Sequence, residues 1–315
     1  MRIVFMGSPE FAVQVLELLI LNGHQITGVY TRPDQPAGRR RELQATPVKK
    51  AALVYQVPVF QPPGFKALGA VESLKGLHPE VIVVAAFGLF LPQSVLELPR
   101  HGCLNIHPSL LPKYRGSSPV ISTILAGDDF AGVSVMQLDA GMDSGPIFSR
   151  AQIPVLTQDS ADSLTDKLFR IGAAMLLEVL AALPGGRLVP EPQEESQATF
   201  TREVRKEDGQ INWKLPVKEI WRKVRAYQPW PETYTFWRDK SLKIVEAVPW
   251  PGVENPGAGA VISLPASSSQ SGAGFGVGTG EGVLAVIRVQ IEGKRAVSAA
   301  EFVRGQKEFL GSVLE

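Results

Sequence analysis

The segment RIVFMGSPEFAVQVLELLILNGHQITGVY, residues 2–30, is typical of a β-α-β unit. It opens with a short apolar run that Gly7 ends, and Ser8 and Pro9 then favour the start of a helix. Apolar residues recur at helical spacing as far as Gly23, and a second strand-like run, QITGVY, follows. Two strands joined by one helix are expected to run parallel, with a right-handed crossover between them.

Further strand-like runs extend this pattern along the N-terminal half. VIVVAA (81–86) is a continuous apolar run of the kind found in central parallel strands, and CLNIH (103–107) and GVSVMQL (132–138) predict two more strands. We therefore predict an α/β fold over residues 1–183, with a Rossmann-like, mostly parallel sheet. Only Gly7 follows the first strand where dinucleotide-binding folds carry G-x-G-x-x-G, which argues against an NAD site.

The sequence changes character after residue 183. Residues 184–206 are rich in Pro, Gly and Glu without apolar periodicity, which predicts a linker. Residues 207–315 alternate short β-like runs with Gly and Pro turns, and this predicts a small antiparallel, OB-like β-barrel domain. Within it, the Gly/Ser-rich stretch 265–282 is typical of a surface hairpin.

The composition narrows the classes of function. The chain has 315 residues, 44% of them apolar and 20% charged, as in ordinary soluble globular proteins. A formal net charge of +1 argues against a uniformly basic nucleic-acid coat but allows a local basic patch. The single cysteine, Cys103, excludes an intrachain disulfide, and with four histidines it offers poor material for a zinc site. We expect a cytoplasmic protein without a metal, a signal peptide or a membrane span.

Polar side chains lie where two of the predicted strands end. Asn105 and His107 are two residues apart, so in an extended chain their side chains point to the same face. The loop DAGMDSG (139–145) follows another strand and places Asp143 between small residues. Because open α/β sheets bind ligands at the carboxyl ends of their strands, we predict a cleft there that contains these three side chains.

These residue types suit acyl transfer to an amine. The carbonyl oxygen becomes negative as the amine attacks, and N–H groups of Asn105 and His107 can stabilise it. The carboxylate of Asp143 can accept the proton that the amine loses and can hold His107 in a useful tautomer. No serine elbow surrounds Ser109, which favours direct transfer over a covalent intermediate.

NIHPSLLPKYRGSSP (105–119), with GVSVMQLDAGMDSGPIF (132–148), resembles the folate-dependent formyltransferases. The resemblance implies that Asn105, His107 and Asp143 are the catalytic residues and that 10-formyltetrahydrofolate is a co-substrate, with no tightly bound cofactor. AAFGLFLP (85–92) is similar to the family segment that helps to form the pterin pocket, and SLLP is similar to the folate-contacting loop. The folate contacts implied in this way are Phe87, Gly88, Leu89, Ser109, Leu110, Leu111 and Pro112.

A polar loop, TRPDQPAGRRRELQATPVK (31–49), contains Arg39, Arg40 and Arg41. An isolated run of three arginines is more often a solvated loop, but a basic loop beside a cleft can bind a phosphate backbone. The segment resembles the insertion loop of the methionyl-tRNA formyltransferases within this family, and the C-terminal region resembles their β-barrel domain. Residues 202–246 carry eleven Lys or Arg against seven Asp or Glu. The resemblance implies initiator methionyl-tRNA as partner, a role in translation initiation and a monomer.

Two other functions stay open at this point. A formyltransferase acting on a small amine, such as an amino sugar nucleotide or glycinamide ribonucleotide, would use the same three polar residues without needing the arginine loop. A non-catalytic RNA-binding protein on the same scaffold would keep its RNA affinity after loss of Asn105, His107 and Asp143, and it would not bind folate.

Overall fold

The structure, a computed structural model, describes residues 1–37, 42–66, 69–186, 188–265, 272–306 and 308–315. The chain forms two compact units. Unit 1 consists of Met1–Pro119, Phe130–Pro154 and Thr165–Thr201, and unit 2 consists of Val120–Asp129, Val155–Leu164 and Arg202–Glu315. The domain boundaries at 183 and 207 stay predictions; residues 188–201 fold with unit 1 in the structure.

The helices and strands follow one another along the chain. The first two thirds of the chain form β1 (Arg2–Gly7), α1 (Glu10–Leu21), β2 (Gln25–Tyr30), β3 (Gln35–Ala37), β4 (Glu42–Gln44), α2 (Pro47–Val54), β5 (Val59–Phe60), α3 (Ala70–Lys75), β6 (Val81–Ala85), α4 (Gln93–Leu96), β7 (Cys103–His107), β8 (Arg115–Gly116), α5 (Pro119–Ala126), β9 (Phe130–Gln137), β10 (Ile147–Pro154), α6 (Ala161–Ala182) and β11 (Phe200–Thr201). The remainder forms α7 (Val217–Ala226), β12 (Thr233–Trp237), β13 (Lys240–Trp250), β14 (Val261–Ile262), β15 (Phe275–Gly278), β16 (Val283–Ile291), β17 (Val297–Ser298) and α8 (Ala299–Gly305).

Unit 1 is built on a seven-stranded sheet with the order β10-β9-β7-β6-β1-β2-β5. The strands from β7 to β5 in that order run parallel, whereas β9 pairs antiparallel with both β7 and β10. All five residues of β6 are buried, as expected for a central parallel strand covered on both faces. The predicted Rossmann-like, mostly parallel sheet is therefore confirmed.

Ser8 does not cap α1, contrary to the sequence-based expectation. The helix begins at Glu10, and its N-cap residue, Pro9, makes no side-chain capping bond. The hydroxyl of Ser8 instead accepts the backbone N–H of Arg32 at 3.2 Å and donates to the carbonyl oxygen of Phe87 at 3.4 Å. The residue thus links segments that follow β1, β2 and β6, because those three strands end side by side.

Helix α6 is the longest helix that the structure describes. By length and composition alone, Ala161–Gly185 is the one candidate membrane span in the described part of the chain. Its apolar face is nevertheless buried within unit 1, where Leu168 and Leu176 are fully buried. At Gly172 the helix lies so close to the sheet that a Cβ would stand 2.5 Å from Cγ2 of Ile106 on β7. These contacts identify the part of α6 from Thr165 onward as a core element of unit 1.

Unit 2 is built on an antiparallel sheet with the order β12-β13-β16-β15-β14, and β17 pairs with β16. Helix α7 buries Ile220 and Val224 in the core, and Phe309 packs edge-on against Trp237 and Phe275 at ring distances of 5.2 and 4.8 Å. The predicted small antiparallel β domain is confirmed. Strand β15 lies inside the Gly/Ser-rich stretch 265–282, and all four of its residues are buried, so the predicted surface hairpin is wrong for residues 275–278. Residues 266–271 of the stretch lie outside the described residues.

Candidate active site

Asn105 and His107 lie on β7, which is hydrogen-bonded to β6 on one side and to β9 on the other. The imidazole of His107 is buried, and its Nε2 lies 3.0 Å from the carbonyl oxygen of Tyr114. A carbonyl oxygen only accepts, so Nε2 carries a proton. Nδ1 lies 3.7 Å from Oδ2 of Asp143, which is too long for a hydrogen bond. Nδ1 is therefore the imidazole atom able to meet a further partner.

The amide of Asn105 is half-buried on the same strand, and its side chain forms no hydrogen bond to any residue that the structure describes. An amide without a protein partner retains both N–H donors for a bound molecule. Asn105 and His107 thus lie two residues apart on β7. The amide of Asn105 offers N–H donors to an oxygen, whereas His107 can donate only from Nδ1 and only as an imidazolium.

Asp143 lies in the loop after β9 and has a left-handed backbone, with φ of +50°. Its Oδ2 accepts the backbone N–H of Gly116 at 2.8 Å, which fixes the carboxylate beside His107. Asp tolerates this backbone region better than most residues, so the residue type suits both the turn and the carboxylate. The structure thus brings His107 and Asp143 together, 36 positions apart in the sequence.

The segment after His107 is held by Ser134 on β9. The hydroxyl of Ser134 donates to the carbonyl oxygen of Ser109 at 2.7 Å and accepts the backbone N–H of Leu111 at 3.2 Å. The side chain of Ser109 is itself buried and donates to the carbonyl oxygen of Lys113. Leu111 packs against Met136, whereas Leu110 and Pro112 are half-buried. Most backbone groups of this predicted folate loop already have partners within the protein, so the half-buried side chains of Leu110 and Pro112 are the parts available to a ligand.

The second predicted folate segment follows β6. Phe87 is buried, Gly88 is exposed with φ of +76°, and Leu89 is half-buried against the core. Phe87 belongs to an aromatic cluster in which Phe65 packs between it and Tyr30. Burial raises the pKa of Tyr30 to about 12, and its hydroxyl has no hydrogen-bond partner among the described residues. The two predicted folate segments therefore follow neighbouring strands of the sheet, β6 and β7.

Residues that the sequence did not single out complete the site. We call residues 193–201 the strap. Its strand β11 pairs in parallel with β8, the strand that follows His107 in the chain. Thr199 accepts the backbone N–H of Tyr114 at 2.8 Å through its Oγ1 and that of Arg115 at 2.8 Å through its carbonyl oxygen. The Oγ1 of Thr201 donates to the carbonyl oxygen of Arg115 at 3.1 Å. The strap thus fixes the segment that supplies the Tyr114 carbonyl to His107.

Arg115 is the largest fully buried side chain in the described part of the molecule, at 1% exposure. Its guanidinium binds both carboxylate oxygens of Glu195 at 2.9 Å, and its Nε donates to Oε1 of Gln193 at 3.0 Å. The hydrogen bonds from Arg115 hold the pKa of Glu195 below its usual range. A polar stretch such as PQEESQ carries no pattern that could have indicated these contacts from sequence.

The loop with the predicted tRNA contacts is described only at its ends. Arg39, Arg40 and Arg41 lie outside the described residues. On either side of them, β3 and β4 pair as an antiparallel ribbon, with Gln35 opposite Gln44. Within the described ranges, no group of three or more His, Cys, Asp or Glu side chains is arranged to hold a metal ion.

Comparison with known proteins gives consistent matches over both halves. The chain matches the formyl transferase family model over residues 1–180 and the formyl transferase C-terminal domain model over residues 203–307. The methionyl-tRNA formyltransferase of Dehalococcoides mccartyi (strain ATCC BAA-2266 / KCTC 15142 / 195) is 50% identical over 313 residues, which are 99% of this chain and 97% of that protein. The corresponding enzyme of Chloroflexus aggregans is 46% identical over 305 residues, with 97% of each chain covered.

A solved structure shares the fold. HypX from Aquifex aeolicus in complex with tetrahydrofolic acid superposes with a TM-score of 0.69 at 18% identity, over 98% of this chain and 48% of HypX. The family models together span most of the sequence, and the relatives align with it almost end to end. The chain therefore belongs to the formyl transferase family.

Proposed function

We propose that the protein transfers a formyl group from 10-formyltetrahydrofolate to the α-amino group of methionyl-initiator-tRNA, in support of translation initiation. The observation that carries this proposal is the near end-to-end match, at 50% and 46% identity, to relatives named methionyl-tRNA formyltransferase. The arrangement of Asn105, His107 and Asp143 supports the chemistry, because it combines donors for an oxyanion with a carboxylate that can accept a proton.

In the proposed mechanism the amine of the methionyl group attacks the formyl carbon directly. A new C–N bond forms, and the carbonyl oxygen gains negative charge that two donors stabilise. These donors are the amide of Asn105 and, when both imidazole nitrogens carry a proton, the Nδ1–H of His107. Asp143 accepts the proton that the amine loses, directly or through water. The bond from the formyl carbon to N10 of the folate then breaks, and N10 receives the proton held by Asp143, directly or through water, as tetrahydrofolate leaves.

We assign the folate donor to the two segments that follow β6 and β7. Their fixed geometry supports this assignment, since Ser134 holds the backbone of residues 109–111 and Phe87 is anchored in the aromatic cluster. The donor is a co-substrate that leaves after each turnover. HypX, described in complex with tetrahydrofolic acid, has the same fold.

The tRNA is assigned to Arg39, Arg40 and Arg41 together with unit 2. The excess of Lys and Arg over Asp and Glu in residues 202–246 supports a role of unit 2 in binding phosphate groups. The aromatic residues Trp213 and Trp237 are buried in the core of unit 2, so their rings are not available for base stacking.

The proposal is tested by a formylation assay with 10-formyltetrahydrofolate and three acceptors: initiator methionyl-tRNA, elongator methionyl-tRNA and an amino sugar nucleotide. Transfer to the initiator alone supports the proposal. Transfer only to the sugar nucleotide would favour the small-amine alternative, and RNA binding without any transfer or folate binding would favour the non-catalytic alternative.

Replacing His107 by Ala should lower turnover at least about 100-fold, because the oxyanion loses one of its two side-chain donors. The fold should be retained, which circular dichroism checks. His24→Ala is the matched control, since His24 follows α1 in a different part of the chain. Full turnover by His107→Ala would contradict the catalytic assignment.

Replacing Arg39, Arg40 and Arg41 by Gln should raise the KM for tRNA and reduce the dependence of kcat/KM on salt, because fewer counterions are then released on binding. The KM for the folate donor should stay unchanged. Lys75→Gln, which removes an exposed positive charge on α3, serves as the control. An unchanged salt dependence would mean that the arginine loop makes no phosphate contact.

A further inference from the structure

We propose that Gln193 in the strap is a positioning residue that holds the loop of Asp143 in its reactive geometry. The inference rests on the proposed function, because Gln193 acts through a carboxylate to which that function gives a role. In this proposal Gln193 does not itself contact the reacting atoms.

The amide nitrogen of Gln193 connects to the loop at two points. Nε2 donates to the carbonyl oxygen of Asp143 at 2.8 Å and to that of Gly145 at 2.7 Å. These carbonyls lie on either side of Ser144, so both peptide planes of the turn are fixed by one side chain. Asp143 occupies the left-handed backbone region with φ of +50°, and the two bonds hold the turn in that conformation.

The other end of the amide determines which way it points. Oε1 of Gln193 accepts from Nε of Arg115 at 3.0 Å. A flipped amide would set its NH₂ group against the guanidinium, a pure donor, and its oxygen against two carbonyl oxygens. Arg115 is buried and held by both oxygens of Glu195, so it provides a fixed reference for the orientation of Gln193.

Asp143 is consequently fixed from two directions. Gln193 fixes its backbone, and the N–H of Gly116, the residue after Arg115, fixes its carboxylate at 2.8 Å. Both contacts depend on Arg115 and its neighbours: Gln193 of the strap is oriented by Arg115, and Gly116 follows Arg115 in β8. A displacement of about 1 Å at a reacting group can slow an enzyme about 100-fold. Loss of the amide of Gln193 should therefore slow the chemical step with little change in substrate binding.

The test measures single-turnover formyl transfer and steady-state kinetics for Gln193→Ala and Gln193→Glu, each in the natural background and combined with Asp143→Asn. Gln193→Glu keeps the oxygen that accepts from Arg115 and loses the donors to the two carbonyl oxygens. Gln197→Ala is the matched control, because Gln197 is an exposed glutamine of the same strap that donates only to the side chain of Glu194. Thermal melts establish that each variant is folded.

We expect both Gln193 variants to lower kcat about 10- to 100-fold with KM values within about twofold, while Gln197→Ala behaves like the natural protein. In the Asp143→Asn background the same changes should cost less than about threefold, because residues that act as a unit are non-additive. If Gln193→Ala fails to fold, the kinetics of the isosteric Gln193→Glu variant test the proposal.

Equal losses in both backgrounds would overturn the inference, since Gln193 would then act independently of Asp143. Natural turnover by Gln193→Glu, with Asp143→Asn slow, would overturn it and leave the proposed function intact. Full turnover by Asp143→Asn would instead contradict the role that the proposed function gives to Asp143, and the inference would fall with it.

Discussion

Gly116 shows at the scale of one residue how closely the backbone approaches the candidate site. Its φ is +107°, and a Cβ placed on it would lie 2.7 Å from the carbonyl oxygen of Thr201 and 2.8 Å from its Oγ1. Real Cβ atoms do not approach backbone oxygens so closely, so any side chain would displace β8 or the strap. The N–H that Gly116 donates to Asp143 would be displaced with it.

Gly116→Ala should therefore lower kcat at least about 100-fold, because the carboxylate of Asp143 loses its backbone donor. Steady-state kinetics on both substrates measure the effect. Gly23→Ala is the control: Gly23 has a comparable φ of +75°, and no atom lies within 4 Å of the position that a Cβ would take there. It should cost about 1 kcal/mol of stability and leave turnover unchanged. Equal kinetics in the two variants would contradict the prediction.

At this scale the sequence indicated Asn105, His107 and Asp143, whose catalytic roles stay predictions, but not the hydrogen bonds that hold them. The period of two along β7 placed Asn105 and His107 on one face, and the loop after β9 was expected to bring Asp143 close to them. In the structure Nδ1 of His107 lies 3.7 Å from Oδ2 of Asp143. The donor that fixes Asp143 is a backbone N–H, and a backbone N–H has no signature in the sequence, so Gly116 could not be predicted.

At the scale of an element, the packing of α6 on β7 depends on one small residue. Glycine inside a helix ordinarily costs about 1 kcal/mol relative to alanine, so Gly→Ala in a helix is usually stabilising. At Gly172, however, a Cβ would lie 2.5 Å from Ile106 and 2.9 Å from Val133. The steric cost of moving α6 from the sheet exceeds the gain in helix propensity.

Gly172→Ala should thus lower the free energy of unfolding by about 1–3 kcal/mol. All five tryptophans lie in unit 2, so the unfolding of unit 1 in urea is followed by circular dichroism. Gly305→Ala, at the end of α8 where no atom lies near the position of an added Cβ, should be neutral or slightly stabilising. A stabilised Gly172→Ala variant would show that α6 has room to move.

The strands and long helices were predictable because buried apolar residues repeat with the period of each element. Helix α6 begins at Ala161, and Ser160 and Ser163 exchange capping hydrogen bonds at its start. The strap was not predictable. Its contacts are made by polar side chains and backbone groups to residues about 80 positions earlier, and neither periodicity nor composition reports such pairing.

At the scale of the whole molecule, two buried acidic groups make stability depend on pH. Burial raises the pKa of Cys103 to about 12 from its usual 9.0, and that of Tyr30 to about 12 from its usual 10.0. There is therefore a pH range in which Cys103 and Tyr30 keep their protons in the folded chain but release them in the unfolded chain. Their contribution to stability is complete below pH 9 and is lost as the pH rises from 9 towards 12.

The free energy of unfolding should fall by about 1 kcal/mol more between about pH 9 and pH 10 in the natural protein than in Cys103→Ala, because one proton per chain is released on unfolding. Urea titrations at about pH 8, 9 and 10 under reducing conditions measure the difference. Comparing the two proteins removes the effect of every other titrating group. Equal pH dependence would mean that the thiol ionises in the folded state.

The pairing of the strap with β8 also determines when the site can form during synthesis. A nascent chain that ends at residue 180 already contains Asn105, His107 and Asp143, and it covers the whole match to the N-terminal family model. It lacks Gln193, Glu195, Thr199 and Thr201, so the guanidinium of Arg115 and the backbone of β8 have no partners from the strap. Under the proposed function we therefore expect catalytic competence to begin only after residue 201 has left the ribosome, although Asn105, His107 and Asp143 are synthesised some sixty codons earlier or more.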